Sequence, residues 1–204
     1  MESIDSYLTI ELPAEALLKE KGSKFFAYAM PAESVEQAMQ NLDEVKKDHH
    51  SARHWCYAYR IGVTGESFRS NDDGEPSHSA GDPILRQIDS KGLTNIIVVV
   101  VRYFGGVKLG VGGLIQAYGG AAAIALDDAS VITRIIYEAV KVDFGYEDMS
   151  EVMRLIKKFD AQMIEHSFEN TCTLKAKVSR DKMDEFLEEL TLLHRVSSKH
   201  LGMI

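Results

Sequence analysis

The alternation of hydrophobic and polar positions predicts several strands in the first two thirds of the chain. "SYLTIEL" (6–12) and "KFFAYAM" (24–30) have strand composition, and "ARHWCYAYRIG" (52–62) has the pattern of a strand covered on both faces. Six consecutive β-branched residues make "NIIVVVVRYF" (95–104) a fully buried strand, because such side chains suit a pleated surface better than a helix. These strands form the framework of the first predicted domain.

One amphipathic helix interrupts these strands. Val35, Met39, Leu42 and Val45 recur at intervals of three and four within residues 34–49 and form one apolar face. Helix and strands together predict a mixed α/β domain that ends at residue 134.

A second domain is predicted for residues 135–204. Its segments follow the order βαββαβ, the ferredoxin-like arrangement of a four-stranded sheet with two helices on one face. The two middle strands meet at a predicted turn, Glu169–Asn170. The predicted fold class is therefore α+β, with two domains. The predicted strands are "IIYEAVKVDF", "AQMIEHSF", "TCTLKAKV" and "RVSSKHLGMI", and the helices are "YEDMSEVMRLIKKF" and "DKMDEFLEELTLL".

Charge and composition narrow the functional classes. The chain has 204 residues, and its 31 acidic and 23 basic residues give a net charge of −8, so any contact with nucleic acid must be local. The first residues are acidic where a signal peptide needs basic charge, and no apolar run approaches the roughly 20 residues of a membrane span. A cytoplasmic protein without a membrane partner is predicted. Cys56 and Cys172 lie in predicted strands and are expected to be buried hydrophobes.

A glycine-rich loop is the first candidate site. Residues 90–126 contain no acid but carry Lys91, Arg102 and Lys108. A buried strand that ends in "RYFGG" and leads through "VKLGVGG" into a helix rich in small residues would direct backbone N–H groups toward an anion. Alternatively, the glycines allow only tight turns and close packing. The candidate ligand or nucleic-acid contacts here are Arg102, Tyr103, Gly105, Gly106, Lys108, Gly110, Gly112 and Gly113.

The acidic segment "NDDGEPSHSAGDP" (71–83) is the second candidate. The side chains of Asp72, Asp73, Glu75 and Asp82 could supply oxygen ligands to a divalent cation. The spacing is not that of a calcium loop, and a rigid β-turn stiffened by prolines is the favoured interpretation. We expect this turn to form one wall of a cleft opposite the glycine loop. The candidate contacts are Asp72, Asp73, Gly74 and Glu75.

A short helix is predicted directly after this turn. "AGDPILRQIDSKG" (80–92) places Ile84, Leu85 and Ile88 inward, and Ser79 is available to cap its N-terminus. His78 is either a solvated side chain or a general base.

The histidines of "DHHSARHW" (48–55) have two interpretations. His49, His50 and His54 could bind zinc, although they do not share one face, and the alternative places the first two at a helix C-terminus. Arg53 and His54 begin an apolar strand and are expected to project into a cleft. No serine elbow or Cys–His pair is present, so we predict no catalytic residue, no metal site and no cofactor, and a non-enzyme is favoured.

Three segments resemble the IMPACT/YigZ family. They are "ARHWCYAYRIG", "NDDGEPSHSAGDPIL" and "GLTNIIVVVVRYFGGVKLGVGGLIQAYGGAA", which span residues 52–123 in the family's order. The resemblance implies an N-terminal domain similar to a βαβ domain of ribosomal proteins and of elongation factor G domain IV. It also implies a second domain similar to the ferredoxin-like domain V of that factor. Where relatives commonly have G-T-A-G after the DDGEP turn, this chain has His78-Ser79-Ala80-Gly81.

The resemblance implies a function in translation. Eukaryotic IMPACT proteins regulate a translation-initiation kinase pathway and carry an additional RWD domain. This chain begins close to its first predicted strand, so that role is not expected to transfer. The leading hypothesis is a non-enzymatic translation regulator or RNA- or ribosome-binding protein. The alternative is an enzyme or binding protein that holds a phosphorylated small molecule between the glycine loop and the DDGEP turn. The oligomeric state is not predicted.

Overall fold

The computed structural model describes residues 4–168 and 171–204, and the chain divides into two compact units. One unit is Tyr7–Arg134, and the other is Ile135–Ile204 together with the N-terminal residues up to Ser6. Five α-helices and eleven strands lie within the described residues, so the architecture is mixed α+β, as predicted. None of the described helices is long and apolar enough to span a bilayer.

The larger unit is built on a five-stranded antiparallel sheet with strand order β2-β3-β6-β4-β5. A separate two-stranded sheet pairs β1 with β7. The strands are β1 (Ser6–Ile10), β2 (Ala14–Glu20), β3 (Ser23–Pro31), β4 (His54–Ile61), β5 (Ser67–Asn71), β6 (Ile96–Tyr103) and β7 (Val131–Ile135), and the helices are α1 (Val35–Asp48), α2 (Gly81–Ser90) and α3 (Gly110–Asp128).

Strand β6 is the centre of this unit and is buried from Ile96 to Arg102, which confirms the prediction for these residues. The predicted burial is wrong for the end of the segment, because Tyr103 is half-buried and Phe104 is exposed beyond the strand. Its even-numbered side chains pack with α2 and α3, and its odd-numbered side chains pack with α1. Because side chains alternate along a strand, the same rule directs Arg102 toward the α2 and α3 side and Tyr103 toward the α1 side. The end of β6 therefore places polar groups on both faces of the sheet.

The sequence pattern did not reveal strands β2 and β5. The segment "AEALLKE" of β2 consists largely of residues that favour helices, and "SFRSN" of β5 is polar. Both strands lie at the edges of the sheet, where one side of the strand is unpaired and fewer side chains are buried. Strand β7 was also missed, and the domain boundary predicted after residue 134 falls within it.

The smaller unit shows the predicted element order. Its antiparallel sheet has strand order β11-β8-β10-β9, and α4 and α5 contribute to the core on one face. Cys172 is buried in this core and Cys56 in that of the larger unit, as predicted. The predicted turn at Glu169–Asn170 lies outside the described residues. The elements are β8 (Tyr137–Phe144), a 3₁₀ helix (Tyr146–Asp148), α4 (Met149–Lys158), β9 (Gln162–Phe168), β10 (Cys172–Ser179), α5 (Arg180–Thr191) and β11 (Ser197–Met203).

Candidate functional site

The Asp72 carboxylate caps helix α2. Its Oδ1 accepts hydrogen bonds from the backbone N–H groups of Ala80 at 2.9 Å and Gly81 at 2.8 Å, and its Oδ2 accepts from His78 N at 2.8 Å. These bonds satisfy amides that a helix cannot satisfy internally, and the negative charge is favourable at a helix N-terminus. The predicted cap, Ser79, is wrong: its hydroxyl donates to the carbonyl of Pro76 at 2.6 Å.

Asp73 joins the acidic turn to the start of strand β4. Its Oδ2 accepts from Trp55 N at 2.7 Å, and its carbonyl accepts from His54 Nδ1 at 2.8 Å. Asp73 has a φ of +41°, and Gly74 follows with a φ of +84°, so the chain reverses tightly at these two residues. The side chains of Asp73 and His54 therefore hold the turn against the sheet.

Glu75 forms the centre of a buried polar network. Its Oε1 accepts from Arg102 Nη1 at 2.6 Å and from the Tyr118 hydroxyl at 2.9 Å, and the side chains of Glu75 and Arg102 are only 5% and 8% exposed. This ion pair connects the acidic turn to β6, and Tyr118 connects both to α3. An unpaired charge at such depth would be costly, so Glu75 and Arg102 require each other.

Burial disfavours ionisation of the nearby Cys56 thiol and of the Tyr118 phenol. It raises the pKa of the Cys56 thiol well above its usual range and raises that of the Tyr118 phenol likewise. Both groups stay protonated at neutral pH, and Cys56 Sγ donates to the Asp72 carbonyl at 3.0 Å. They stabilise the turn as hydrogen-bond donors.

His78 takes a backbone conformation that suits glycine better, with a φ of +63°. Its side chain is 80% exposed, and its Nδ1 lies 2.7 Å from Asp82 Oδ2. A hydrogen bond from the Ser70 hydroxyl, followed by the contact with His78, lowers the pKa of the Asp82 carboxyl. His78 therefore pairs with a residue of its own turn and helix.

The glycines between β6 and α3 serve two different purposes. A Cβ at Gly105 would lie 1.9 Å from the backbone carbon of Gly22, so this position needs glycine for close packing. Gly110 and Gly112, in contrast, face open space, and Gly110 has a φ of +73°. The first turn of α3 has no side-chain cap and no acidic residue, so its N–H groups are available to an anion.

Phe104 is the most exposed aromatic residue of this region, with 59% of its surface accessible. The Arg102 guanidinium lies 5.6 Å from the centre of its ring and 5.7 Å from that of Phe25, which is completely buried. These cation–π contacts link the exposed ring to the core through a buried charge. The ring of Phe104 is thus held in place while its surface stays accessible.

Three clefts share Phe104 as a lining residue. A cleft of about 430 Å³ contains Arg53 and His54, one of about 340 Å³ contains Lys24, and one of about 390 Å³ lies between Glu75 and the start of α3 and contains Lys108. The exposed ring of Phe104 is therefore bordered by clefts on several sides.

Positive charge exceeds negative charge around Phe104. Lys24, Arg53 and Lys108 are exposed, and none of them forms an ion pair within residues 4–168 and 171–204. Among the described residues that line these clefts, Glu75 is the one acid, and Arg102 already neutralises it. We call Lys24, Arg53, Phe104 and Lys108 the Phe104 surface.

His49 lies on the α1 side of this region, at the C-terminal cap of α1 as predicted. Its Nε2 is 2.6 Å from the Tyr28 hydroxyl, and its Nδ1 is 3.0 Å from that of Tyr103. Burial lowers the pKa of this imidazole. His49 is therefore held by two tyrosines, whereas His54 is held by the acidic turn.

Side chains suited to metal binding do not gather in the described part of the chain. No group of three or more His, Cys, Asp or Glu side chains there could hold a metal ion. The carboxylates of Asp72, Asp73 and Glu75 are each directed to donors of the protein itself. This geometry explains the acidic segment as a structural turn.

The predicted contact residues separate into three groups. The clefts around Phe104 are lined by the first group: Arg53, His54, Glu75, Arg102, Tyr103, Lys108 and Gly110. The acidic turn behind these clefts is shaped by the second group: Asp72, Asp73 and Gly74. The loop and the first turn of α3 contain the third group: Gly105, Gly106, Gly112 and Gly113.

Sequence reasoning missed Phe104 and Lys24. A phenylalanine between a strand end and two glycines was a usable signal for Phe104, because such a loop offers little to bury the ring. Lys24 reaches the site through its pairing opposite Tyr103 in the sheet, and this register is not visible in the sequence.

Comparison with known proteins gives consistent matches. The model of the Impact N-terminal domain matches residues 21–126. The IMPACT family member YigZ from Escherichia coli is 30% identical over 98% of this chain and 99% of its own. An IMPACT family member from Haemophilus influenzae is 33% identical over 84% of both chains. The Protein IMPACT homolog of Saccharomyces cerevisiae is 39% identical over 46% of this chain and 37% of its own.

A crystal structure of a protein described only as hypothetical has the same overall fold. It superposes with a TM-score of 0.74, with 29% sequence identity and 99% coverage of both chains.

Proposed function

The chain belongs to the IMPACT family, and on this premise we propose that it is a non-enzymatic, translation-associated protein that binds RNA through the Phe104 surface. One observation carries the proposal: an anchored, exposed aromatic ring is surrounded by cations that have no acidic partner in the described residues. Proteins bind unpaired nucleotides by stacking bases on aromatic side chains and by holding phosphates with Lys and Arg. Phe104 supplies the first element, and Lys24, Arg53 and Lys108 supply the second.

The net charge of −8 is compatible with such a local contact. At physiological ionic strength charges are screened beyond about 8 Å, so a bound phosphate responds mainly to the cations beside it. The buried pair of Glu75 and Arg102 adds no net charge to the surface. Because its guanidinium is paired with Glu75 and lies 5.6 Å from the centre of the Phe104 ring, Arg102 acts as a positioning residue for Phe104.

The same proposal includes the domain types. We assign residues 1–134 to an IMPACT-type domain similar to domain IV of elongation factor G, and residues 135–204 to a ferredoxin-like domain. The strand order of the smaller unit, 4-1-3-2 when its strands are numbered in chain order, supports the second assignment. Similarity to a translation factor supports a ribosomal location only by analogy of fold.

Anisotropy measurements with a labelled oligouridylate test the stacking contact. Phe104→Ala should weaken binding by about tenfold, since stacking on an aromatic residue contributes on the order of 1–3 kcal/mol per base. Phe68→Ala is a matched control, because Phe68 is also 59% exposed and has Arg60 over its ring at 5.2 Å. Equal affinity of Phe104→Ala and wild type, or an equal loss in Phe68→Ala, would contradict the proposal.

A second function is favoured by the cleft between Glu75 and α3. Its volume of about 390 Å³ fits a small ligand, and Lys108, Gly110 and the uncapped first turn of α3 suit a phosphate group. Thermal-shift titration with inorganic phosphate and nucleotides tests this function. A stabilisation that Lys108→Ala abolishes and Phe104→Ala leaves intact would favour a small phosphorylated ligand.

A further inference from the structure

The four-stranded sheet of the smaller unit has one open face. Val140 and Val142 of β8 point into the core with the helices, so Lys141 and Asp143 point to the opposite face. Strand β10 alternates in the same way and brings Lys175 to the same face as Lys141. This face carries polar and basic side chains, whereas α4 and α5, the α-helices described in the smaller unit, both pack on the other face.

Three lysines on this face lie side by side across neighbouring strands. Lys199 of β11 is directly opposite Lys141 of β8, and Lys141 is directly opposite Lys175 of β10. Neighbouring strands are about 4.8 Å apart, so the row spans about 10 Å. We call Lys199, Lys141 and Lys175 the lysine row. Like charges directly opposite each other destabilise a sheet, so the row is costly to the fold.

Acidic side chains compensate for only part of this charge. Lys141 Nζ lies 2.9 Å from Asp143 Oδ2, and Lys175 Nζ lies 3.4 Å from Glu165 Oε1. Lys199 is exposed and forms no ion pair within the residues that the structure describes. The three lysines and these two acids leave a net charge of +1, and Lys177 on the same face adds a second positive charge. In a chain with a net charge of −8, this local excess of positive charge favours an anionic partner.

We propose that the lysine row binds the phosphodiester backbone of single-stranded RNA. A row of about 10 Å is longer than one phosphate group and suits a ligand with repeated charges. A groove of about 250 Å³ is lined by Lys141, Lys175 and Ser167, and serine hydroxyls commonly bond phosphate oxygens. Its acid, Glu165, is paired with Lys175.

An aromatic ring on the same face favours RNA over an acidic peptide. Tyr137 shares the face of Lys141, and Lys177 Nζ lies 4.8 Å from the centre of its ring. Lys177 covers one side of this ring, so a base can stack only on the side that faces away from Lys177, whereas an acidic peptide has no group that needs the ring. The lysine row is a second contact, separate from the Phe104 surface, and the proposal stands or fails independently of that surface.

Two pairs of substitutions in the full chain test the proposal. Lys175→Gln with Lys199→Gln removes both flanking charges of the row but keeps the Lys141–Asp143 pair. Lys157→Gln with Lys182→Gln removes two exposed lysines from α4 and α5, so the change in charge is the same. The probe is a fluorescein-labelled oligouridylate of roughly 12 nucleotides, within the range that a single binding fold contacts.

The row variant should bind more weakly, and the slope of log K against log salt should fall by about 1.4, or roughly 0.7 for each lost phosphate contact. The row variant loses the repulsion on Lys141 but also the exposed Lys175–Glu165 pair, which stabilises the fold only weakly, so its melting temperature should stay close to that of wild type. A thermal-unfolding measurement then shows whether lost binding comes from unfolding. The helix variant should match wild type in slope.

Other outcomes overturn the proposal. An unchanged slope in the row variant, or an equal fall in the helix variant, excludes the row as the contact. Displacement of the RNA by polyglutamate at equal charge concentration would point to an acidic peptide. If the row variant binds normally while Phe104→Ala does not, only the lysine row fails. If Phe104→Ala binds normally while the row variant does not, only the Phe104 surface fails.

Discussion

The acidic turn and the glycine loop lie on two sides of one cleft, but they use their polar groups in opposite ways. In the turn, the carboxylates of Asp72, Asp73 and Glu75 are all bonded to the protein. In the loop, Lys108 and the first amides of α3 have no such side-chain partners in the described residues. A dense cluster of charge in a sequence can therefore be structural, while the sparser neighbouring segment provides the surface for a ligand.

This comparison predicts that changes in the turn reduce stability. Glu75→Ala leaves Arg102 buried without its carboxylate, and we expect a loss of about 3–5 kcal/mol in the free energy of unfolding. Urea unfolding measures the loss. Tyr118→Phe removes one hydrogen bond to the same carboxylate and should cost only about 1 kcal/mol. If Glu75→Ala reduces RNA binding but leaves the unfolding free energy unchanged, the turn is a ligand contact and the comparison is wrong.

A smaller loss of stability is expected at the N-terminus of helix α2, where Asp72 and Ser79 are the two possible caps. Asp72→Ala removes the acceptor of three amide bonds and should cost about 2 kcal/mol, at the upper end of measured caps, because the acceptor is charged. Ser79→Ala removes one bond to a carbonyl and should cost about 1 kcal/mol or less. Thermal and urea unfolding of both variants check this order. Equal losses of unfolding free energy in the two variants would show that Ser79 stabilises helix α2 as much as Asp72 does.

The main helices and the buried strands could be predicted because their patterns are local. The β-branched run of β6 and the apolar face of α1 need no knowledge of distant residues. Edge strands β2 and β5 could not be predicted, since they depend on pairing with neighbours more than on their own residues.

The candidate site could likewise be predicted only where its pattern is local in the sequence. Its general position near Arg102 and Lys108 was visible as a stretch without acids. The pairing of Glu75 with Arg102, 27 residues apart, was not visible, and neither was the placement of Lys24 by the sheet register. Such contacts are decided by tertiary structure, so a sequence suggests which residues are polar but not which of them remain available.

The smallest effect is expected in the glycine loop, and it should have the opposite sign. Gly112 lies in the first turn of α3 without a positive φ, and a Cβ there would meet nothing within 4 Å. Gly112→Ala should therefore raise the unfolding free energy by about 0.5–1 kcal/mol, because alanine loses less backbone entropy in a helix. Gly105→Ala is the contrasting control and should destabilise the protein, since its Cβ would overlap the backbone of Gly22. If Gly112→Ala raises stability but weakens RNA or phosphate binding, the glycine is needed for ligand binding. If Gly112→Ala lowers stability, Gly112 has a structural role like that of the residues in the acidic turn.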